Sequence, residues 1–594
     1  MIETILLLIA VVAIALSLRL PAAWQLDMTW DEGLYAVAGM MAVRNILRRD
    51  FSERSWSFEF HPPFVMYLFG ISYAIYVLIR MICRDGWRVS LQPEKMEEEG
   101  VRLFRGRSAL LAIRLPAVLA GTLTCAVVFW ICQEITGNVV LATIGSLLLA
   151  VMPSFVAWTS VAMLESGVTL FYASTVLFLL KATAAFSIEA LIVSGICLGF
   201  LMCSKETGFG MVPTALVWFA FLIWGDLASG SGKVLDLVLY LIAWLLIGVS
   251  TFWVSWPVLH RRPLQQLMAA FRSTSSMSSR SSSGFSFYFL GLASTVPTPI
   301  FFLTFCGVAL TITDPSPSMV FAVLWVLVPL LLMGFPFVPK RGGPYETNFV
   351  LPSIAILAVV PLAKLEATPF KFPLQNFGIG WETLAGVALV FFLLFEGAVL
   401  YPRYMDYHSL VGRKLFKEGE LQVGWWGHGM ASAMAFIDRH VPMGAVVWIY
   451  GPRISSFYHS TRVDLRKSLG GESLFFERAR VGKTVPLDSM FLDWRQGDLT
   501  FKFPYYPSHT TRDKVQALKK VVSHIVVYRW ALHNQRLTSL GNFDVQLLSH
   551  LSRHSVPVAT IKTGQLEVCW IYDAVKLCTC CLKSSASNSS WSRQ

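Results

Sequence analysis

The sequence predicts a polytopic α-helical membrane protein of about 11 to 13 transmembrane helices, followed by a C-terminal soluble α/β domain. Three observations lead there. Hydrophobic residues make up 55% of the 594 and charged residues 14%, against roughly 25% charged in an ordinary soluble chain. A mean hydropathy of +0.57 is too high for globular cores alone to absorb over such a length. The apolar residues also fall in long runs up to about residue 401, after which the pattern changes.

Residues 1–18 are apolar but lack the basic n-region and small-residue cleavage site of a signal peptide, so they read as a first spanning helix. Further runs of about 17 to 25 residues, long enough to span, begin near Pro63, Ser108, Val139, Val161, Ile188, Gly208, Val234, Phe285, Met319, Phe349 and Leu384. These place a transmembrane domain at 1–401. The loop 84–114 carries seven Arg and Lys residues and is the best cytoplasmic candidate by the positive-inside rule. The loop between the first two spans, 19–62, then lies on the opposite face and is expected to hold interfacial helices. Twelve spans from a cytoplasmic N-terminus leave the C-terminal domain cytoplasmic, whereas eleven or thirteen put it outside. The ambiguous region is 108–155, where two closely spaced apolar runs need not both cross.

Residues 402–577 contain no spanning run and alternate in pattern: helical at 429–440, 513–522 and 545–554, and strand-like at 445–450, 524–528, 556–561 and 566–572. Such alternation predicts a small α/β domain. The tail 578–594 is Ser-rich from Ser584 and reads as disordered.

The balance of 49 Lys and Arg against 37 Asp and Glu gives +12. No basic run interleaved with stacking aromatics accompanies it, which argues against nucleic acid. Cytoplasmic loops and anionic headgroups account for it, with a phosphorylated lipid as the candidate ligand. Most of the ten cysteines, such as Cys125, Cys132 and Cys203, are scattered through apolar segments, without zinc spacing or a disulfide framework. Cys578, Cys580 and Cys581 cluster near the C-terminus without a neighbouring His. No Walker loop, dinucleotide fingerprint or H-E-x-x-H motif is present.

The most informative stretch lies in the first loop: Thr29-Trp30-Asp31-Glu32-Gly33-Leu34-Tyr35, with His61-Pro62-Pro63 opening the second span. Adjacent carboxylates at a membrane surface must be solvated, paired or used. Thr29 and Glu32 form a T-x-x-E capping box for an interfacial helix, which would leave Asp31 only a helix-terminus charge. Alternatively, Asp31 is a general base within reach of a bound sugar. His61 is either a loop residue before a proline-started helix or a contact to phosphate or metal. With Glu59 it could contribute to a divalent metal site, but two residues do not define one.

These motifs, in their order and spacing, resemble the GT-C membrane glycosyltransferases, and within them glycosyltransferase family 39, the protein O-mannosyltransferase and aminoarabinose-transferase branch. Met163-Leu164-Glu165 resembles that family's second acidic residue, and Ser204-Lys205-Glu206-Thr207-Gly208 its S-K-E-T-G turn. Phe287-Tyr288-Phe289 with Pro297 and Pro299 is similar to its aromatic loop. Lys340-Arg341 with Tyr345 and Pro352 resembles its K-x-x-x-Y…P stretch. The resemblance implies a GT-C fold and transfer of one sugar, with inversion, from a polyprenyl-phosphate (dolichyl-phosphate) carrier to an acceptor outside the cytoplasm. The acceptor is a protein, lipid or glycan, and the membrane is the plasma membrane, or the endoplasmic reticulum in a eukaryote.

The resemblance makes Asp31, Glu32 and Glu165 the catalytic carboxylates. Tyr35, His61, Lys205, Arg261, Arg262, Arg272, Arg341 and Tyr345 are the candidates for holding the donor. An Arg could grip phosphate oxygens in a bidentate fork, whereas Lys acts as a point charge. A solvated loop for Arg261-Arg262 and a local ion pair for Lys205-Glu206 remain open. If Glu165 shares a face with Asp31, the span count is odd and the C-terminal domain lies outside. Gly424-Trp425-Trp426-Gly427-His428-Gly429 resembles either the W-G-x-G stretch of family 39 or the W-W-D-Y-G motif of oligosaccharyltransferases, without its Asp and Tyr. It could equally be an aromatic belt. A transporter or flippase of lipid-linked sugars, which should show inverted repeats and interrupted helices, and an oligosaccharyltransferase-like subunit are the alternative functions.

Overall fold

The computed structural model describes residues 2–50, 62–86, 106–260, 285–334, 344–365, 380–402, 404–415 and 429–440, six strands between 446 and 573, and a few shorter pieces. The chain forms two compact units. One comprises Met1–Leu26, Tyr35–Glu97 and Leu110–Glu418; the other comprises Asp27–Leu34, Glu98–Ala109 and Gly419–Gln594.

The helices run in chain order as α1 (Ile2–Gln25), α2 (Trp30–Leu47), α3 (Phe64–Asp85), α4 (Arg107–Thr136), α5 (Val139–Val151), α6 (Pro153–Thr159), α7 (Leu164–Ala185) and α8 (Ile188–Met202). They continue as α9 (Met211–Ser229), α10 (Val234–Ser255), α11 (Phe285–Thr295), α12 (Thr298–Thr313), α13 (Pro317–Gly334), α14 (Leu351–Leu365), α15 (Trp381–Leu400), α16 (Leu410–Leu415) and α17 (Met430–His440). Among the described residues nine helical segments are long and apolar enough to cross a membrane. The pair α5–α6, bent by 65°, makes a tenth if it is one span, and α8 and α12 are shorter apolar helices. This is a multi-pass membrane protein, and each apolar run of the sequence coincides with one of these elements. Two differ in detail. The run beginning near Phe285 is divided before Pro297, which cannot continue a helix hydrogen-bonded to the preceding turn. The run near Val139 breaks at Met152, because Pro153 starts a new helix rather than extending α5.

α1 continues through Arg19 to Gln25, past the point where the sequence places the start of the loop 19–62. Arg19 is fully buried, and its guanidinium does the work that water would do outside a membrane. Nε donates to Thr159 Oγ1 at 2.8 Å, and Nη1 donates to Ala150 O at 3.2 Å and to Ala15 O at 2.9 Å. It thereby fastens both halves of the bent pair, including a carbonyl at the C-terminal end of α5 that has no helical donor ahead of it. Arg114, also fully buried, donates from Nη1 to Ala23 O at 2.6 Å and Leu26 O at 2.9 Å. A cation on the last carbonyls of a helix is favourable for hydrogen bonding and for the dipole alike.

Hydroxyls join the remaining helices. Ser194 Oγ on α8 donates to Thr175 O on α7 and accepts from Trp244 Nε1 on α10, at 2.9 and 3.0 Å. Ser146 Oγ on α5 donates to Cys125 O on α4 at 2.6 Å. Such bonds and small-residue contacts substitute for the hydrophobic drive that lipid removes. The sharpest small-residue contact is between α2 and α3, where Gly39 and Gly70 face each other so closely that a Cβ on either would overlap the other's backbone.

In the second unit the predicted strands appear as β1 (Val446–Tyr450), β4 (His524–Tyr528), β5 (Ala559–Thr563) and β6 (Leu566–Asp573). Two further strands, β2 (Val463–Leu465) and β3 (Phe476–Val481), complete a sheet of order β2-β3-β1-β4-β6-β5. β1 pairs parallel with β4, Val447 opposite His524, and every other pairing is antiparallel. β3 escapes sequence reading because Phe-Glu-Arg-Ala-Arg-Val carries three charges in six residues, and it is a strand because it has a neighbour on each side. α17 packs on β5 and β6 and buries Met430, Ala433, Met434 and Ile437, one face of a 3.6-residue period. The helices expected at 513–522 and, apart from Leu551, at 545–554 lie outside the described residues, as do Cys578, Cys580, Cys581 and the tail 578–594.

The Gly39–Gly70 crossing generates a direct test. Gly70→Leu should destabilise the protein by at least about 1–3 kcal/mol, the usual cost of overpacking, read as a lowered thermal midpoint in detergent. An unchanged midpoint would mean that α2 and α3 do not approach as described.

Candidate functional site

In the helical unit the polar end of the site is built by α7 and the turn after α8. Met163 is the extended residue before α7, which puts Glu165 in the first turn, where its charge suits the helix dipole. Lys205 is extended between α8 and the 3-10 turn Glu206–Gly210. Its Nζ donates to Glu165 Oε1 in a salt bridge whose side chains are 4% and 6% exposed. The S-K-E-T-G turn therefore pairs its Lys with Glu165, forty residues earlier. Glu165 Oε2 is buried without a hydrogen-bond partner among the described residues. A buried carboxylate with one oxygen neutralised and one unsatisfied can accept a proton or hydrogen bond from a ligand.

A third motif converges here. Pro62 and Pro63 are buried, and the first amide of α3, Phe64 N, donates to Cys203 O at 2.8 Å. The Phe64 ring stacks on Phe200 at 4.3 Å and meets Phe171 edge-on at 5.7 Å. The described part of H-P-P, Pro62-Pro63, thus meets the S-K-E-T-G turn, which pairs with M-L-E, at one end of the bundle. The fourth stretch reaches α7 further along. The 3-10 segment Pro344–Val350 packs on α7 and α11. There the Phe349 ring stacks on Tyr172 at 5.3 Å and Phe349 O accepts from Trp325 Nε1 at 3.0 Å.

In the second unit Glu32 Oε2 accepts the Thr29 N–H at 2.7 Å, and Glu32 is fully buried. This is the reach-back arm of the capping box. Its reciprocal arm is not made, since Thr29 Oγ1 is buried without a partner among the described residues. Asp31 follows in the first turn of α2. Just ahead, Asp27 Oδ2 accepts the Gly429 N–H at 2.9 Å. Gly429 has φ +87°, a conformation that favours glycine. The end of the Trp425-Trp426-Gly427-His428-Gly429 stretch is thereby tied to the acidic loop.

Of the other predicted residues, Tyr35 is buried on α2 and Tyr345 belongs to the segment Pro344–Val350. Glu59, His61, Arg261, Arg262, Arg272, Lys340, Arg341, Trp425 and Trp426 lie outside the described residues. Among the described residues no group of three His, Cys, Asp or Glu side chains could hold a metal. Sequence reading counted Arg114 only as a cation of the loop 84–114, whereas it is buried within α4, and it overlooked Asp27 and Asn348. A charge inside an apolar run was the available signal for Arg114. Asp27 and Asn348 carried none, because their significance lies in partners, or the lack of them, far along the chain.

Residues 100–256 match the family model described as dolichyl-phosphate-mannose-protein mannosyltransferase, a span that includes Glu165 and Lys205. No curated protein matches the chain. Among solved structures it is similar to ArnT from Cupriavidus metallidurans in the apo state, with 13% identity, a TM-score of 0.49, and coverage of 95% of this chain and 98% of that one. It is similar to the archaeal oligosaccharyltransferase AglB from Archaeoglobus fulgidus in complex with an inhibitory peptide and a dolichol-phosphate, with 13% identity, a TM-score of 0.46, and coverage of 92% and 72%. It is also similar to the S. cerevisiae protein O-mannosyltransferase Pmt1-Pmt2 complex bound to the sugar donor, with 20% identity, a TM-score of 0.33, and coverage of 45% and 34%.

Removing one partner of the buried pair should cost more than removing both. Lys205→Met leaves the Glu165 carboxyl buried without its partner and should cost about 3–5 kcal/mol. The double variant Glu165→Gln/Lys205→Met should recover most of that. Thermal unfolding in detergent checks it, and equal losses in the single and double variants would disprove the coupling.

Proposed function

We propose that the protein is an inverting glycosyltransferase that takes a sugar from a polyprenyl-phosphate-linked donor and passes it to an acceptor on the extracytoplasmic side of the membrane. The observation that carries this reading is the buried Glu165–Lys205 pair inside the segment that matches the mannosyltransferase model. One further motif of the resemblance joins it through Pro62-Pro63 and the Phe64 N–H on Cys203 O.

The chemistry is a single displacement. Asp31 removes the acceptor's hydroxyl proton as that oxygen attacks the anomeric carbon, and the bond from that carbon to the phosphate oxygen breaks. The lipid phosphate leaves with the electron pair, so it needs cations rather than a proton donor. Lys205, Arg261, Arg262, Arg272 and Arg341 are the proposed cations, with Tyr35, His61 and Tyr345 assisting donor binding. Glu165, with Oε1 on Lys205 and Oε2 open, orients the acceptor. Glu32 already serves as the capping arm of α2, and its part in catalysis is to hold the turn that carries Asp31. The capping box and the general base are therefore compatible, one residue apart.

We further read the bent pair α5–α6 as turning back rather than crossing. Its limbs, of 13 and 7 residues, are each shorter than the roughly 20 residues needed to span. That leaves an odd number of crossings and puts residues 402–577 outside.

A second reading, a carrier of lipid-linked sugars, is favoured by the same broken pair, since interrupted helices line transporter sites. Reconstitution with a radiolabelled polyprenyl-phosphate sugar and candidate acceptors separates the two. The parent should form a glycosidic product, and Asp31→Asn should lower the rate by about two to four orders of magnitude, the range for loss of a general base. Undiminished transfer by Asp31→Asn would remove the base assignment; labelled lipid crossing liposomes without a glycosidic product would establish the carrier.

Topology is checked by a single Cys introduced into 402–577, which should react with an impermeant thiol reagent in whole cells. Protection there, with reaction after permeabilisation, would place the domain inside. Cys569 is unsuited as the reporter: it is buried on β6, and burial pushes its thiol up, away from the reactive thiolate.

A further inference from the structure

Asn348 sits in the segment Pro344–Val350 with 2% of its surface exposed, and neither its Oδ1 nor its Nδ2 has a hydrogen-bond partner among the described residues. Other polar groups of this segment and of the elements it packs on are paired. The next carbonyl, Phe349 O, accepts from Trp325 Nε1; Tyr172 Oη bonds Thr214 Oγ1 at 3.1 Å; and Ser353 Oγ donates to Ala322 O at 2.6 Å. A buried amide unsatisfied at both ends costs free energy that a leucine of similar volume would not. In a membrane protein a buried polar group kept at such a cost marks a place where something else binds.

A second observation concerns the backbone. Pro344–Val350 is a 3-10 run of seven residues, whereas runs beyond three or four are uncommon and mark hinges or strain. It leads directly into α14 and packs on α7, the helix whose first turn holds the other unsatisfied buried group, Glu165 Oε2. Seven residues separate Glu165 from Tyr172, the ring on which Phe349 stacks, about 10 Å along the helix axis.

The chemistry of the amide selects the ligand. A carboxamide offers one acceptor and two donors. A phosphate only accepts and would satisfy Nδ2 while leaving Oδ1 bare. A sugar hydroxyl both donates and accepts, and two neighbouring hydroxyls can satisfy both ends of the amide. We propose that Asn348 is a specificity-determining residue that reads hydroxyls of the transferred sugar, rather than the phosphate that carries it. This rests on the glycosyltransferase reading above and adds the residue that recognises the sugar.

The test is binding to the full chain in nanodiscs, with dolichyl phosphate and dolichyl phosphates bearing mannose or glucose as probes, comparing the parent with N348L and, should that variant not fold, N348A. The parent should bind at least one sugar-bearing lipid more tightly than the bare phosphate. N348L should lose that preference by about tenfold or more, keep the parent's affinity for bare dolichyl phosphate, and be at least as thermostable. A preference retained in the variant overturns the assignment of Asn348 and leaves the glycosyltransferase reading intact. An equal loss of affinity for bare and sugar-bearing lipid also overturns it, by making Asn348 a phosphate or structural residue. A parent that binds none of these lipids, or prefers no sugar-bearing one, overturns this proposal, and binding of none removes the glycosyltransferase reading with it.

Discussion

Charge held within the helical unit has to be compensated there, because hydrocarbon supplies neither water nor counterions. Arg19, Arg114 and Lys205 are each almost completely buried, and each meets that demand by tying together parts of the chain that are remote in sequence. Arg19 spans the break between α5 and α6, and Arg114 closes the end of α1. Lys205 joins the turn after α8 to the start of α7. In a soluble protein such residues could turn outward. Here the two arginines satisfy the last carbonyls of broken or ending helices, and Lys205 neutralises a buried carboxylate.

The same demand explains where the chemistry gathers. The beginnings of α3 and α7 and the turn after α8 are brought to one end of the bundle by Phe64 N–H on Cys203 O, by the Lys205–Glu165 pair and by the Phe64, Phe171 and Phe200 rings. Aromatic packing supplies the rigidity, and the ion pair supplies the polarity. In the other unit, Asp27 and Glu32 are engaged in holding backbone amides, those of Gly429 and Thr29. That engagement fixes the loop on which Asp31 is carried.

Much of the fold was legible because its periodicities are local. Apolar runs long enough to span give helices whatever their neighbours, and the face Met430, Ala433, Met434, Ile437 gives an amphipathic helix from spacing alone. The divisions at Pro153 and Pro297 fall inside runs that read as continuous, and only the structure showed them. β3 was not legible, since its sequence has no strand signal apart from its neighbours in the sheet. The extent of α1 was not legible either, because Arg19 looks like the end of an apolar run until its partners on α5 and α6 are known.

The sequence by itself determined the class of molecule, the order of its hydrophobic elements, the capping arm from Glu32 to Thr29, and the short polar stretches worth testing. Those follow from composition and from contacts between residues three or four apart. Only the tertiary structure decided that Lys205 pairs with Glu165, that Asp27 holds Gly429, that the run near Val139 bends by 65°, and that Asn348 has no hydrogen-bond partner among the described residues. The reason is physical. Whether a buried polar group is satisfied depends on what approaches it from other helices, and that information is distributed over the whole chain.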